Sequence, residues 1–180
     1  MSTIVVNLFG VPGAGKSTGA AYIFSCLKMA GVNAELVTEF AKDKVYEESA
    51  AIFRNQAKIF GEQYFRLTRV EDKVDVIVTD SPLALCVFYN KSEILGEDFN
   101  KVVLNCFNNY DNMNYLVFRN KPYNPNGRFQ NEEESNALEK PMIDLLKKRK
   151  IPLTMINGDM TDYNEVVTDV LNRLGENKND

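Results

Sequence analysis

Residues 4–24 read IVVNLFGVPGAGKSTGAAYIF, and the order of residue types in this stretch decides the fold. TIVVNLF, residues 3–9, is short, apolar and β-branched, as a strand buried on both faces must be. The run stops at Gly10. Beyond Lys16, Ala20, Ile23, Phe24 and Leu27 recur at helical spacing, and Gly31 is placed to cap the helix end. Between strand and helix lies GVPGAGKS, residues 10–17, which fits G-x-x-x-x-G-K-[ST]. Gly10, Gly13 and Gly15 allow backbone N–H groups to curl around phosphate oxygens without Cβ clashes. The helix adds the positive end of its dipole at the same point. The pattern therefore predicts a nucleotide-binding loop to which Val11, Pro12 and Ala14 also belong. Lys16 is expected on the β- and γ-phosphates, the Ser17 hydroxyl on Mg²⁺ and Thr18 near the α-phosphate.

The whole chain has 180 residues, the length of one compact domain, here expected over residues 1–174 with a frayed tail at 175–180. No stretch approaches the ~20 apolar residues of a membrane span. The N-terminus has no basic region followed by an apolar core, so no secretory signal is expected and a cytoplasmic location is. Cys26, Cys86 and Cys106 are odd in number and far apart, which predicts buried free thiols in a reducing compartment. Histidine is absent. Histidine-based triads and H-E-x-x-H zinc sites are thereby excluded, and acid–base work falls to carboxylates, Lys, Tyr or Cys. The net charge of −4 argues against a dedicated nucleic-acid binder, though not against a local basic groove.

Further along, AELVT (34–38), DVIVTD (75–80), NYLVF (114–118) and PLTMI (152–156) read as strands. Residues 49–73 read as one long helix with Phe53, Ala57, Phe60, Tyr64 and Leu67 on a single apolar face. Helices are predicted over 82–90, 97–110 and 132–149. The last of these is capped by Asn131 with Glu134 and is broken or kinked at Pro141. A final helix opens near Thr161 and is expected to bury Val166, Val167, Val170, Leu171 and Leu174. Alternating strands and helices predict an α/β fold, with a parallel sheet covered on both faces.

In such a sheet, ligands bind at the carboxyl ends of the strands. Asp80 closes VIVTD there and reads as a Mg²⁺-organising carboxylate, or as an N-cap for the next helix. Glu39 closes AELVT in the same manner. It is placed to take a proton from an attacking hydroxyl, to hold a sugar hydroxyl, or simply to start a solvated helix. FRNKPYNPNGRFQNEEE, residues 118–134, interleaves Arg119, Lys121 and Arg128 with Phe118, Tyr123 and Phe129. Three readings stay open: a lid at about 119–131 whose Arg119 and Arg128 neutralise charge during phosphoryl transfer, a surface that stacks bases, or an ordinary mobile loop. KKRK, 147–150, suits a helix C-terminus. Lys42, Arg54 and Arg66 are candidates for reaching an acceptor phosphate, with nothing to fix their direction.

A regulatory GTPase needs N-K-x-D, and neither NKSE (90–93) nor NKPY (120–123) supplies it. SPL after Asp80 lacks a switch glycine, and the chain is short for a ring ATPase. Its motifs are GVPGAGKST (10–18), TEFAK (38–42), VTDSP (78–82) and Gly127-Arg128 with the acidic run that follows. On these the chain resembles the P-loop nucleoside and nucleotide kinases, a group that includes thymidylate kinases and nicotinamide riboside kinases. The resemblance covers most of the chain in order of elements. It implies a P-loop NTPase fold with a five-stranded parallel sheet of order 2-3-1-4-5 and a short lid. It also implies ATP and Mg²⁺, and an acceptor between the 49–73 region and the lid. Two positions depart from the pattern: Ser81 stands where deoxynucleoside and thymidylate kinases carry arginine, and Lys42 where nicotinamide riboside kinases tend to.

The expected function is transfer of the ATP γ-phosphate to a hydroxyl or phosphate of a nucleoside-type acceptor, with Lys16, Glu39, Asp80, Arg119 and Arg128 as the catalytic set. A bacteriophage branch resembling thymidylate kinases phosphorylates hydroxymethyl pyrimidines in DNA, and DNA is thus a second candidate acceptor. Outside the kinases the alternatives are an NTPase switch with no phosphorylated acceptor and a non-catalytic nucleotide-binding module, against which intact Lys16, Ser17 and Asp80 argue.

Overall fold

The computed structural model describes residues 3–128 and 130–176; Phe129 of the lid sequence and residues 177–180 of the expected tail lie outside them. Five parallel strands form one sheet in the order β2-β3-β1-β4-β5. They are β1 (Ile4–Phe9), β2 (Ala34–Val37), β3 (Val76–Thr79), β4 (Asp111–Phe118) and β5 (Thr154–Asn157). This is the predicted order. All six residues of β1 are buried. Successive side chains of a strand point to opposite faces, so helices must cover both. Helix α1 (Lys16–Met29) packs with α8 (Met160–Glu176), while α3 (Gln56–Thr68), α4 (Leu85–Tyr89) and α5 (Gly96–Asn108) pack with one another. Phe9 of β1 meets Phe107 of α5 edge to face, and Phe60 of α3 meets Phe99 of α5 likewise.

Several boundaries differ from the sequence reading, each for a local reason. The helix expected over 49–73 is broken. A 3-10 turn spans Ala50–Arg54, and Asn55 then caps α3 by accepting the Lys58 N–H at 3.0 Å. The helix stops at Thr68, before a turn in which Asp72 takes φ 60°. Its buried face is Gln56, Ile59, Phe60, Gln63 and Leu67, whereas Ala57 is exposed. A short helix, α2 (Phe40–Tyr46), follows Glu39 directly. β4 starts three residues earlier than expected because it pairs with all of β1. The buried amide of Asn7 donates to Asn112 (2.8 Å) and Asn114 (3.0 Å), which makes polar residues acceptable inside that strand pair.

The break near Pro141 is present, between α6 (Glu132–Ala137) and α7 (Glu139–Lys148). Pro141 falls in the first turn of α7, where its missing N–H costs nothing. Asn131 and Glu134 form the full capping box expected of them. Arg149 of KKRK forks onto Glu97 of α5 at 2.5 and 2.8 Å. Its guanidinium, with Asn100, holds the Glu97 carboxyl down at about 2. α8 runs through Gly175 to Glu176, two residues into the segment expected to fray. Leu171 is exposed rather than buried; Val166 and Val170 carry the packing, and Val167 and Leu174 are partly buried beside them. Cys86 is buried, Cys26 and Cys106 are half-buried, and all three are free. Among the described residues no helix is long and apolar enough to cross a membrane.

Candidate active site

The parallel sheet delivers every candidate to one edge. The loop 10–15 follows β1, Glu39 follows β2, Asp80 follows β3, Arg119 follows β4 and Gly158 follows β5. The loop turns through Gly10 (φ 144°), Gly13 (φ 83°) and Gly15 (φ 112°). Gly10 also passes so close to β4 that an added Cβ would stand 2.7 Å from the Val117 carbonyl oxygen. Gly10→Ala is therefore expected to destabilise the protein by about 1–3 kcal/mol in urea unfolding. A wild-type midpoint for that variant would refute the close approach.

α1 begins at Lys16 with no acidic residue in its first turn, so no carboxylate of the helix itself competes for its N-terminus. The Lys16 ammonium donates to the carbonyls of Gly10 (2.8 Å) and Val11 (3.2 Å). Two of its three N–H bonds thus hold it over the loop, and one remains. Burial lowers its pKa below the usual 10.5, while Glu39 and Asp80 act to raise it. The loop is braced from outside. Ser135 of α6 donates to the Pro12 carbonyl at 2.7 Å, and Tyr163 of α8 donates to the Gly15 carbonyl at 3.2 Å.

Asp80 is 3 % exposed. It does not cap the next helix, which starts only at Leu85. Instead its Oδ1 accepts the backbone N–H of Glu39 at 3.0 Å, which ties the ends of β2 and β3 together. Gln63 completes the brace from α3: its Oε1 accepts the Phe40 N–H at 2.9 Å, and its amide donates to the Thr38 carbonyl at 3.3 Å. Arg66 is spent on the same corner, donating to Thr38 and pairing with Asp43. Glu39 precedes α2, and its side chain makes no capping bond there. Burial raises its carboxyl above the ordinary 4.5, against the pull of Lys16 and with a further push from Asp80.

These groups line a cavity of about 410 Å³, within the usual range for a small-molecule site. At one end stand Pro12, Gly13, Gly15, Lys16, Ser17 and Thr18. At the other lie Ala41, Val45, Phe53, Ile59, Leu85, Cys86 and Tyr89, with Gln56 as a buried amide among them. Glu39, Asp80, Ser81 and Lys42 lie between, and Lys121, Asn126, Gly127, Arg128 and Gln130 close the lid side. Gly127 packs against the Tyr46 ring at the end of α2, so the lid bridges the cavity. Gly10, Val11 and Ala14 of the loop are not among the residues that line it. Burial, and then Glu39, push the Cys86 thiol up to about 12 and the Tyr89 hydroxyl higher still. Both stay protonated, and the Glu39 carboxylate lies near enough to both to raise them. The walls carry four cations and two carboxylates in a chain of net charge −4, a local field that suits a polyanion.

Among the lid arginines, Arg128 reaches the cavity and Arg119 does not. Arg119 bonds Asn136 of α6 and lies 3.6 Å from Glu132, and its buried Nη1, which has no hydrogen-bond partner among the described residues, also stands beside Gly13 of the loop, where an added Cβ would be 3.6 Å away. Lys121 stands beside Thr18 at 3.5 Å. Of the acceptor-side cations, Lys42 lines the cavity, whereas Arg54 is exposed and outside it. The sequence reading leaves Glu39 open as a helix start without setting the bounds of α2, does not single out Gln56, and names Tyr123 only among the aromatics of residues 118–134. Ala41 and Val45, four residues apart, were the signal for α2.

The class follows from these features together with comparison to known proteins. A profile of AAA domains, the AAA_28 family, matches residues 5–163, and the chain belongs to that family. Its fold is that of the P-loop nucleoside and nucleotide kinases. The NadR protein, solved in complex with NAD and AMP-PNP, superimposes with a TM-score of 0.64 at 16 % identity, over 95 % of this chain and 49 % of that one. The chain thus spans about half the length of NadR. Thymidylate kinase from Ehrlichia chaffeensis aligns at 0.55 and 14 % identity, over 96 % of this chain and 99 % of that kinase. Deoxyadenosine kinase from M. mycoides, with bound dATP, aligns at 0.52 and 18 % identity, over 93 % and 99 %. No curated protein sequence matches the chain.

Proposed function

We propose that this chain is an ATP-dependent phosphotransferase that moves the γ-phosphoryl group to a hydroxyl of a neutral, nucleoside-type acceptor. One observation carries the reading: the glycine loop and a set of apolar side chains line a single cavity, and Glu39 interacts both with Lys16 of the loop and with Cys86 and Tyr89 of that set. The loop amides, the α1 N-terminus and Lys16 hold the triphosphate. The acceptor ring lies in the apolar end. Its hydroxyl attacks the γ-phosphorus, the bond from that phosphorus to the β–γ bridging oxygen breaks, ADP leaves, and the hydroxyl proton passes to Glu39. Arg128 covers the charge that develops on the transferring group.

Ser17 and Asp80 suit Mg²⁺, offering a hydroxyl and the carboxylate oxygen that Glu39 leaves unbonded. No group of three or more His, Cys, Asp or Glu able to hold a metal occurs among the described residues. Phosphate and water would supply the remaining ligands, as Mg²⁺ prefers. The ion would draw charge from the phosphate oxygens.

A hydroxyl acceptor fits better than a phosphate. A phosphate needs no base and would meet the carboxylates of Glu39 and Asp80, with Lys42 as its cation on the acceptor side. The test offers γ-labelled ATP with three acceptor pools: neutral nucleosides, their 5′-monophosphates, and duplex DNA containing hydroxymethyl pyrimidines. Neutral nucleosides are expected to take label about tenfold faster than monophosphates or more. Label on monophosphates would refute the hydroxyl reading. Label on DNA would select the DNA-modifying branch, against which the lid's roof over the cavity argues.

A further inference from the structure

We propose that Tyr123 is a positioning residue of the transfer site, one that holds Arg128 over the phosphate-binding loop; this rests on the kinase reading above. The Arg128 guanidinium makes no hydrogen bond or ion pair among the described residues. Its recorded contact is the Tyr123 ring, with 5.3 Å from guanidinium carbon to ring centroid. Arg119 lies over the same ring at 5.1 Å. The tyrosine is therefore flanked by two cations, one facing the cavity and one anchored to α6.

The ring itself is fixed from two sides. It lies against Gly13, where an added Cβ would come within 2.8 Å of Cδ2. Its hydroxyl donates to the Gln130 carbonyl, two residues beyond Arg128, which closes the lid backbone around the arginine. α6 carries the anchors of Arg119 and is bonded to the loop through Ser135 and Pro12. Loop, α6, Arg119, Tyr123 and Arg128 thus form one connected stack. A free arginine on a polar lid has many rotamers, and a flat π face on which to rest removes most of them. The arrangement adds a role for Arg119 through the ring: it holds the ring, and the ring holds Arg128.

The test is a double-mutant cycle on the full chain. Tyr123→Leu is expected to lower kcat by about tenfold, close to the loss in Arg128→Gln, with KM for ATP changed by less than about threefold. The double variant is expected to match Arg128→Gln alone within about twofold, because the ring acts through the arginine. Tyr123→Phe, which keeps the face, is expected to stay within about threefold of wild type. Tyr123→Met serves if the leucine variant is unstable. A second readout needs no acceptor: the ratio of ATP to ADP affinity, measured with a fluorescent nucleotide, should fall in Tyr123→Leu as it does in Arg128→Gln. Additive losses, or an unchanged ratio and kcat in Tyr123→Leu, would overturn the proposal. A wild-type protein that binds ATP but labels no acceptor would sink the kinase reading, and the affinity ratio would still decide the role of Tyr123.

Discussion

Lys16→Ala is expected to lower phosphoryl transfer by on the order of 10³-fold while the protein stays folded. The side chain is the one ammonium held within the loop, fixed by the Gly10 and Val11 carbonyls with a proton left for a phosphate oxygen. The sheet does not depend on it. β1 is buried along its whole length, and Ser135 and Tyr163 brace the loop independently. Removing the ammonium also relieves a buried charge whose ionisation the site already disfavours. Thermal unfolding should therefore shift little. Full activity in this variant would show that the loop does not hold the reacting triphosphate.

Glu39→Gln is expected to be nearly as damaging, lowering kcat by about 10²–10³-fold. The amide keeps the shape and loses the proton acceptor, and the protonated Cys86 and Tyr89 offer no replacement. A pH profile separates this from a packing defect. Because burial raises the Glu39 carboxyl above 4.5, the wild-type rate should climb with pH through a midpoint above that value. The variant's profile should be flat there. Stability runs the other way. A folded state that binds the Glu39 proton more tightly than the unfolded chain loses stability as pH rises through that window. The glutamine variant should lose that dependence. A wild-type acid limb at or below 4.5 would contradict the assigned base.

Much of this was legible along the chain. The strand, glycines and Lys16 of residues 4–24 locate the phosphate cradle, because that chemistry tolerates few alternatives. The strand order follows from the resemblance, and the parallel sheet from the α/β alternation. Asp80 and Glu39 were found by their positions at strand ends, which in a parallel sheet must converge. The losses have physical causes. Asn55 reads as one more helical residue until its side chain is seen capping Lys58. α2 has seven residues, so Ala41 and Val45 give a single helical step and not a sustained period. Arg119 and Arg128 look equivalent in sequence, and only the direction of the chain after β4 sends one to α6 and the other to the cavity. Gln63 bonds a residue 23 positions away, and Tyr123 rests on the distant Gly13, contacts that spacing does not report.

A kinase must pass the γ-phosphate to an acceptor. The most direct measurement is chromatography of the products formed from γ-labelled ATP, Mg²⁺ and purified protein, with and without a pool of neutral nucleosides. Label is expected on a nucleoside product, formed mole for mole with ADP, with little free phosphate. Label released only as free phosphate, at a rate indifferent to the nucleosides, would contradict the kinase reading and leave an NTPase.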